Sequence, residues 1–220
     1  MLKCLNVKIK NGFTLTELLV TTIIFVIVVG AIYSTQLLSQ KAYQQGETTT
    51  ELTQNGRVIL ERIVREIRQA NEMVTPLPQV PDNPDNPPPS EIEFEDGHTP
   101  SPCQQLGSDH YYIRYYIYTP ANPQDPKELR RQYRVYCFDD CGVCNTFFRW
   151  NDTRIVDSIE EKTHPCNLKK DCTLGEEENI VGEYLTDLKF WGSGLINISL
   201  TLTKDNKKIN LSTQVFGRNL

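Results

Sequence analysis

Residues 13–32 form an apolar run with a single charge, Glu17, near its start. About 20 residues at 1.5 Å each span a bilayer core of roughly 30 Å, so this stretch is expected to be a membrane-spanning helix. Glu17 is the anomaly within it. A lone carboxylate in hydrocarbon costs several kcal/mol unless it is paired, so a partner charge is implied.

The run opens with Gly12-Phe13-Thr14-Leu15-Thr16-Glu17, and Lys3, Lys8 and Lys10 precede it. An ordinary secretory signal peptide carries a shorter apolar core with its small-residue cleavage site behind it. A plain membrane anchor accounts for the length but not for Gly12-Phe13 or Glu17. The arrangement resembles the N-terminus of type IV pilins and type II secretion pseudopilins, which carry class III signal peptides.

That resemblance implies a prepilin peptidase cut between Gly12 and Phe13, with N-methylation of Phe13. It implies that Glu17, four residues after Phe13, faces the N-terminal amine of a neighbouring subunit during assembly. The basic leader fits retention on the cytoplasmic side. The expected location is the bacterial inner membrane, crossed once, with the remainder in the periplasm or outside.

The expected organisation is a leader at 1–12 and a long helix at 13–70, with 13–33 transmembrane. A proline-rich loop at 71–90 and a β-rich globular domain at 91–220 follow. About 150 residues beyond the helix suffice for one core. Along the helix, Leu37, Leu38, Tyr43, Leu52, Ile59, Ile63, Ile67 and Ala70 form a discontinuous apolar stripe, widened by Val58, Leu60 and Val64. Lys41, Gln45, Glu47, Glu51, Arg57, Glu61, Arg62, Arg65 and Arg68 lie opposite. Gly30, Gly46 and Gly56 mark possible bends.

Seven prolines between Pro76 and Pro89 exclude helix and central strand, so an exposed connector with polyproline character is expected. Strands are expected at 91–95, 111–118, 129–138, 147–150, 183–191, 195–203 and 208–216. The 120–126 loop would join the second and third, and Asp205-Asn206 would turn the final hairpin. The fold class is therefore α+β, a long N-terminal helix packed on an antiparallel sheet, as in the type IV pilin-like fold. Leu185-Thr186-Asp187-Leu188-Lys189-Phe190, the Leu/Ile/Thr hairpin and Arg218-Asn219 resemble the C-terminal pattern of PilW-type minor pilins and pseudopilin J.

Seven cysteines look odd in number, but Cys4 lies in the leader. Cys103, Cys137, Cys141, Cys144, Cys166 and Cys172 remain. An even set in an exported domain suggests disulfides, with 15 connectivities open. Cys137-x3-Cys141-x2-Cys144, followed by Cys166 and Cys172, also invites a zinc reading, although the spacing is not that of a zinc ribbon and no histidine beyond His164 is well placed. Cys141-Gly142-Val143-Cys144 is a CxxC, but no βαβ context accompanies it. No metal or other cofactor is expected, and no catalytic set is evident.

The net charge of −5, which becomes −8 without the leader lysines, argues against a dedicated nucleic-acid partner. The expected role is a non-enzymatic minor pilin or pseudopilin that initiates or caps a filament, with other pilins, prepilin peptidase and the inner membrane as partners. Two alternatives stand beside it. One is a membrane-anchored cysteine-rich redox or metal-binding protein. The other is a pilus-displayed adhesin or DNA-uptake receptor, using the proline loop, the tyrosine strand, or a basic patch at Arg130, Arg131 and Arg134.

Overall fold

The computed structural model describes residues 14–81, 83–98, 109–169, 171–175 and 179–217. Among these residues one helix, α1 (Leu15–Ile67), precedes ten strands. They are β1 (Ile92–Glu95), β2 (Tyr112–Tyr118), β3 (Glu128–Cys137), β4 (Thr153–Val156), β5 (Ile159–Lys162), β6 (His164–Leu168), β7 (Asn179–Glu183), β8 (Leu185–Trp191), β9 (Leu195–Lys204) and β10 (Lys207–Phe216). The architecture is α+β with antiparallel sheets. The chain divides into two compact units, Met1–Glu47 and Thr48–Leu220, and α1 contributes to both.

In the first unit α1 is long and apolar enough to cross a membrane. Its apolar side chains, such as Phe25, Ile27 and Ile32, are exposed. Several threonine and serine hydroxyls in this stretch are satisfied within the helix. Thr22 Oγ1 donates to the Leu18 carbonyl at 3.0 Å, Ser34 Oγ to Gly30 at 2.8 Å and Thr35 Oγ1 to Ala31 at 2.9 Å. Such back-bonding removes the penalty an unpaired hydroxyl would carry in lipid.

In the second unit the helical stripe is buried at Leu52, Gly56, Ile59, Leu60, Ile63 and Ile67. That spacing of three and four sets one face against the sheets. Val58, expected to widen the stripe, is instead exposed. It lies about 100° around the helix from Ile59, away from the buried line. Gly56 interrupts no helical turn. A Cβ there would run into the side chains of Leu202 and Leu211, so the glycine permits close approach of the β9–β10 hairpin.

The larger sheet runs β1-β2-β3-β6, and β7 also pairs with β3. Strand β3 is long enough to share one edge, its first residues pairing with β7 and its last with β6. The second sheet is β10-β9-β8, and β4-β5 form a separate hairpin. Ile196, Ile198, Leu200 and Leu202 of β9 all face the core with Ile59, Ile63, Phe94 and Phe190. Asp205 and Asn206 turn the hairpin with φ of 48° and 63°, which is the left-handed pair a two-residue turn requires.

Three expectations are corrected. The strand expected over 183–191 starts at Leu185: Glu183 instead ends β7, and Tyr184, at φ 65°, separates β7 from β8. Residues 147–150 contribute a single bridge, Phe148 with Tyr136, and not a strand. The proline-rich loop is not wholly exposed. Pro78 is buried, and the Pro78 and Pro89 carbonyls accept from Gly192 N at 2.8 Å and Phe190 N at 3.3 Å. The loop thus covers the outer edge of β8, and its prolines offer no N–H for further pairing.

Candidate functional site

Thr14 is the residue before the first helical turn, and Glu17 is the third helical residue. The two form a capping box. Glu17 Oε2 accepts from the Thr14 backbone N–H at 3.0 Å and from the Thr14 hydroxyl at 2.9 Å, and Glu17 N donates to Thr14 Oγ1 at 3.4 Å. The carboxylate also lies at the positive end of the helix dipole. Local hydrogen bonds thus hold Glu17 at the helix start, where the sequence had implied only a distant charge. Gly12 and Phe13 lie outside the described residues.

Five of the six cysteines of the β-rich region fall within the described residues, and Cys103 does not. Cys137 ends β3, Cys166 lies in β6, and Cys141 and Cys144 sit on the turn between Phe138 and Asn145. Cys137 bonds to Cys144, with Cα atoms 6.3 Å apart, and Cys141 bonds to Cys166 across 5.4 Å. Cys172 is disulfide-bonded as well. Cys141 and Cys144 are therefore joined to different partners and not to one another, unlike the closed pair of a CxxC redox motif. The first bond closes the turn and the second ties it to β6. Cys137, Cys144 and Cys166 are buried with Tyr111, Val135 and Leu168 in a small core of their own.

The three arginines of the suspected basic patch do not share a face. Arg131 is buried, and its Nε donates to Glu66 Oε2 at 2.9 Å. Arg134 Nη1 donates to Glu93 Oε2 at 2.9 Å, and Arg130 Nε donates to Glu128 at 2.8 Å. Each positive charge is already matched by a carboxylate. The Tyr115 hydroxyl donates to Glu66 at 2.6 Å, so the tyrosine strand reaches the helix through its buried side. Burial pushes the Tyr115 hydroxyl well above the ordinary tyrosine range, and the Glu66 charge adds to this.

Glu66 and Glu93 were missed at the sequence level. A signal existed for Glu66, since it falls three residues after Ile63 on the buried side. The threonine and glutamate three apart at 14 and 17 likewise carried the capping-box signature.

Residues 8–33 match the prokaryotic N-terminal methylation motif. This motif, with the apolar helix behind it, indicates a type IV pilin-type protein held to the membrane by its N-terminus. The rest of the chain lies outside that match. No curated relative and no solved structure matches the chain.

Proposed function

We propose that this chain is a minor pilin or pseudopilin, a structural subunit that initiates or caps a type IV pilus or type II secretion pseudopilus. The methylation motif over residues 8–33 carries the reading. In it, prepilin peptidase cuts between Gly12 and Phe13 and methylates Phe13, and α1 then packs among the helices of other pilins. Glu17 compensates the Phe13 amine of an adjacent subunit, an interaction that gains strength in a dry medium. The domain lies on the far side of the inner membrane, where an oxidising compartment suits its disulfides.

Intact mass of the protein from its native membrane tests this reading. A chain starting at Phe13 with one added methyl is expected. An uncut chain from cells with an active prepilin peptidase overturns it.

A further inference from the structure

We propose that Cys141, His164 and Cys166 form a binding site for zinc or a similar borderline-soft divalent ion when the Cys141–Cys166 disulfide is reduced. This goes beyond the filament role and does not depend on it. One donor atom from each of the three residues lies within 4.8 Å of the other two. A disulfide needs two side chains, and a third donor of the right type beside it is what points to a ligand. His164 and Cys166 are two residues apart on β6, so both project from the same face of that strand. Cys141 meets them from the turn after β3, where its sulfur lies 3.7 Å from the Pro165 carbonyl.

Two of the three donors, His164 and Cys166, do not rely on the disulfide for their placement, and Cys141 stays beside them on the turn that the Cys137–Cys144 bond closes. The backbone ladder between β3 and β6 aligns Cys137 with His164 and Val135 with Cys166. Tetrahedral zinc with sulfur ligands at about 2.3 Å needs sulfurs roughly 3.8 Å apart. Cα atoms 5.4 Å apart reach that by rotation of the two side chains about their Cα–Cβ bonds. Cys166 is buried while Cys141 and His164 are half-buried, so an ion can enter from the solvent side. Two thiolates and an imidazole favour zinc over magnesium or calcium, which prefer oxygen. The fourth position is left for water, or for a thiol released from the Cys137–Cys144 bond.

The chemistry balances with a dithiol as reductant. Two electrons and two protons pass from the dithiol to the Cys141–Cys166 bond, giving two cysteine thiols and the oxidised, cyclic disulfide. Zinc then displaces both thiol protons to solvent and takes the lone pair of neutral His164. The metal and the disulfide are mutually exclusive, because the oxidised sulfurs carry no thiolate charge.

The test uses the full chain in detergent. It is reduced with a dithiol, freed of the dithiol under argon, and titrated with Co(II) as a spectroscopic stand-in for zinc. One equivalent is expected to give tetrahedral d–d bands and thiolate charge-transfer absorption, both absent from the oxidised protein. His164→Ala is expected to weaken binding at least tenfold. The Cys141→Ser/Cys166→Ser double variant is expected to abolish the bands. Zinc competing the cobalt out would complete the case. A reduced protein without bands, whether folded or unfolded by circular dichroism, overturns the proposal. So does a double variant or a His164→Ala chain that binds cobalt as the unmodified chain does.

Discussion

Arg131 of β3 and Glu66 in the last turn of α1 form an ion pair at 2.9 Å, with both side chains nine-tenths buried. Sixty-five residues of sequence separate them. The pair ties the end of the helix to the centre of the larger sheet, and the Tyr115 hydroxyl shares the same carboxylate. Burial, the largest single influence, makes the Arg131 guanidinium easier to deprotonate, but Glu66 with Tyr115 and Tyr133 together outweigh it and hold the charge more firmly than usual.

Removing one partner should therefore be far more harmful than removing both. Glu66→Ala leaves Arg131 buried and uncompensated, which is expected to destabilise the fold by about 3–5 kcal/mol. A Glu66→Met/Arg131→Met double variant should recover most of that loss. Chemical denaturation of the three proteins checks it. Equal losses in the single and double variants would contradict the pairing.

A second buried carboxylate gives a pH dependence. Glu93 sits among Arg134, Tyr136 and Arg114, and burial raises its pKa although these neighbours pull the other way. The folded chain thus keeps this proton to a higher pH than the unfolded chain does. Stability from this group is fully present below the ordinary glutamate value of 4.5 and is lost as pH rises through the folded-state value. Glu93→Gln removes the titration. The stability of the unmodified chain relative to Glu93→Gln should therefore fall as pH is raised above that point. A difference that stays flat, or that grows with pH, would show that the neighbouring arginine outweighs burial.

Gly56 and Gly46 lie on the same helix but predict opposite outcomes. A side chain at Gly56 meets Leu202 and Leu211, whereas one at Gly46 meets open space. Gly56→Leu should overpack the helix–hairpin seam and cost about 1–3 kcal/mol. Gly46→Ala should leave the fold intact and raise helix stability by up to about 1 kcal/mol. Thermal unfolding followed by circular dichroism distinguishes them, and a neutral Gly56→Leu would refute the close approach.

These contrasts show what the sequence could reveal. Its long periods were legible: α1, the β2–β3 pair and the β9–β10 hairpin all follow patterns of 3.6 or 2 residues. Proline marked the loop, but not that Pro78 and Pro89 would cap the β8 edge, and Gly56, read as a possible bend, is instead a point of close approach to the β9–β10 hairpin. The region from Thr153 to Glu183 was not legible. Its strands are short, β6 contains Pro165, and the end of β7 turns on Tyr184, a residue type that gives no warning of positive φ. Strand β6 stands at the edge of its sheet, where proline is tolerated. The Cys141–Cys166 bond and the Glu66–Arg131 pair are tertiary facts, brought about by β3 lying between its neighbours and not by any local spacing.

The last prediction concerns Glu17, whose carboxylate is held by Thr14 at the start of α1. Two roles meet in one side chain, a local cap and, in the proposed filament, a partner for a neighbour's amine. They can be separated. Thr14→Ala removes the hydroxyl half of the cap, a loss of about 1 kcal/mol in helix stability, and leaves the Glu17 charge in place. Glu17→Gln keeps hydrogen-bonding capacity toward Thr14 but removes the charge. If the charge is what assembly uses, Glu17→Gln and Glu17→Ala should both lower incorporation into sheared filaments at least tenfold, while Thr14→Ala lowers it little. Immunoblots of filament and membrane fractions measure this, and circular dichroism confirms that the β-rich domain stays folded. Normal incorporation of Glu17→Gln would sink the charge-pairing role and leave capping as the function of this acid.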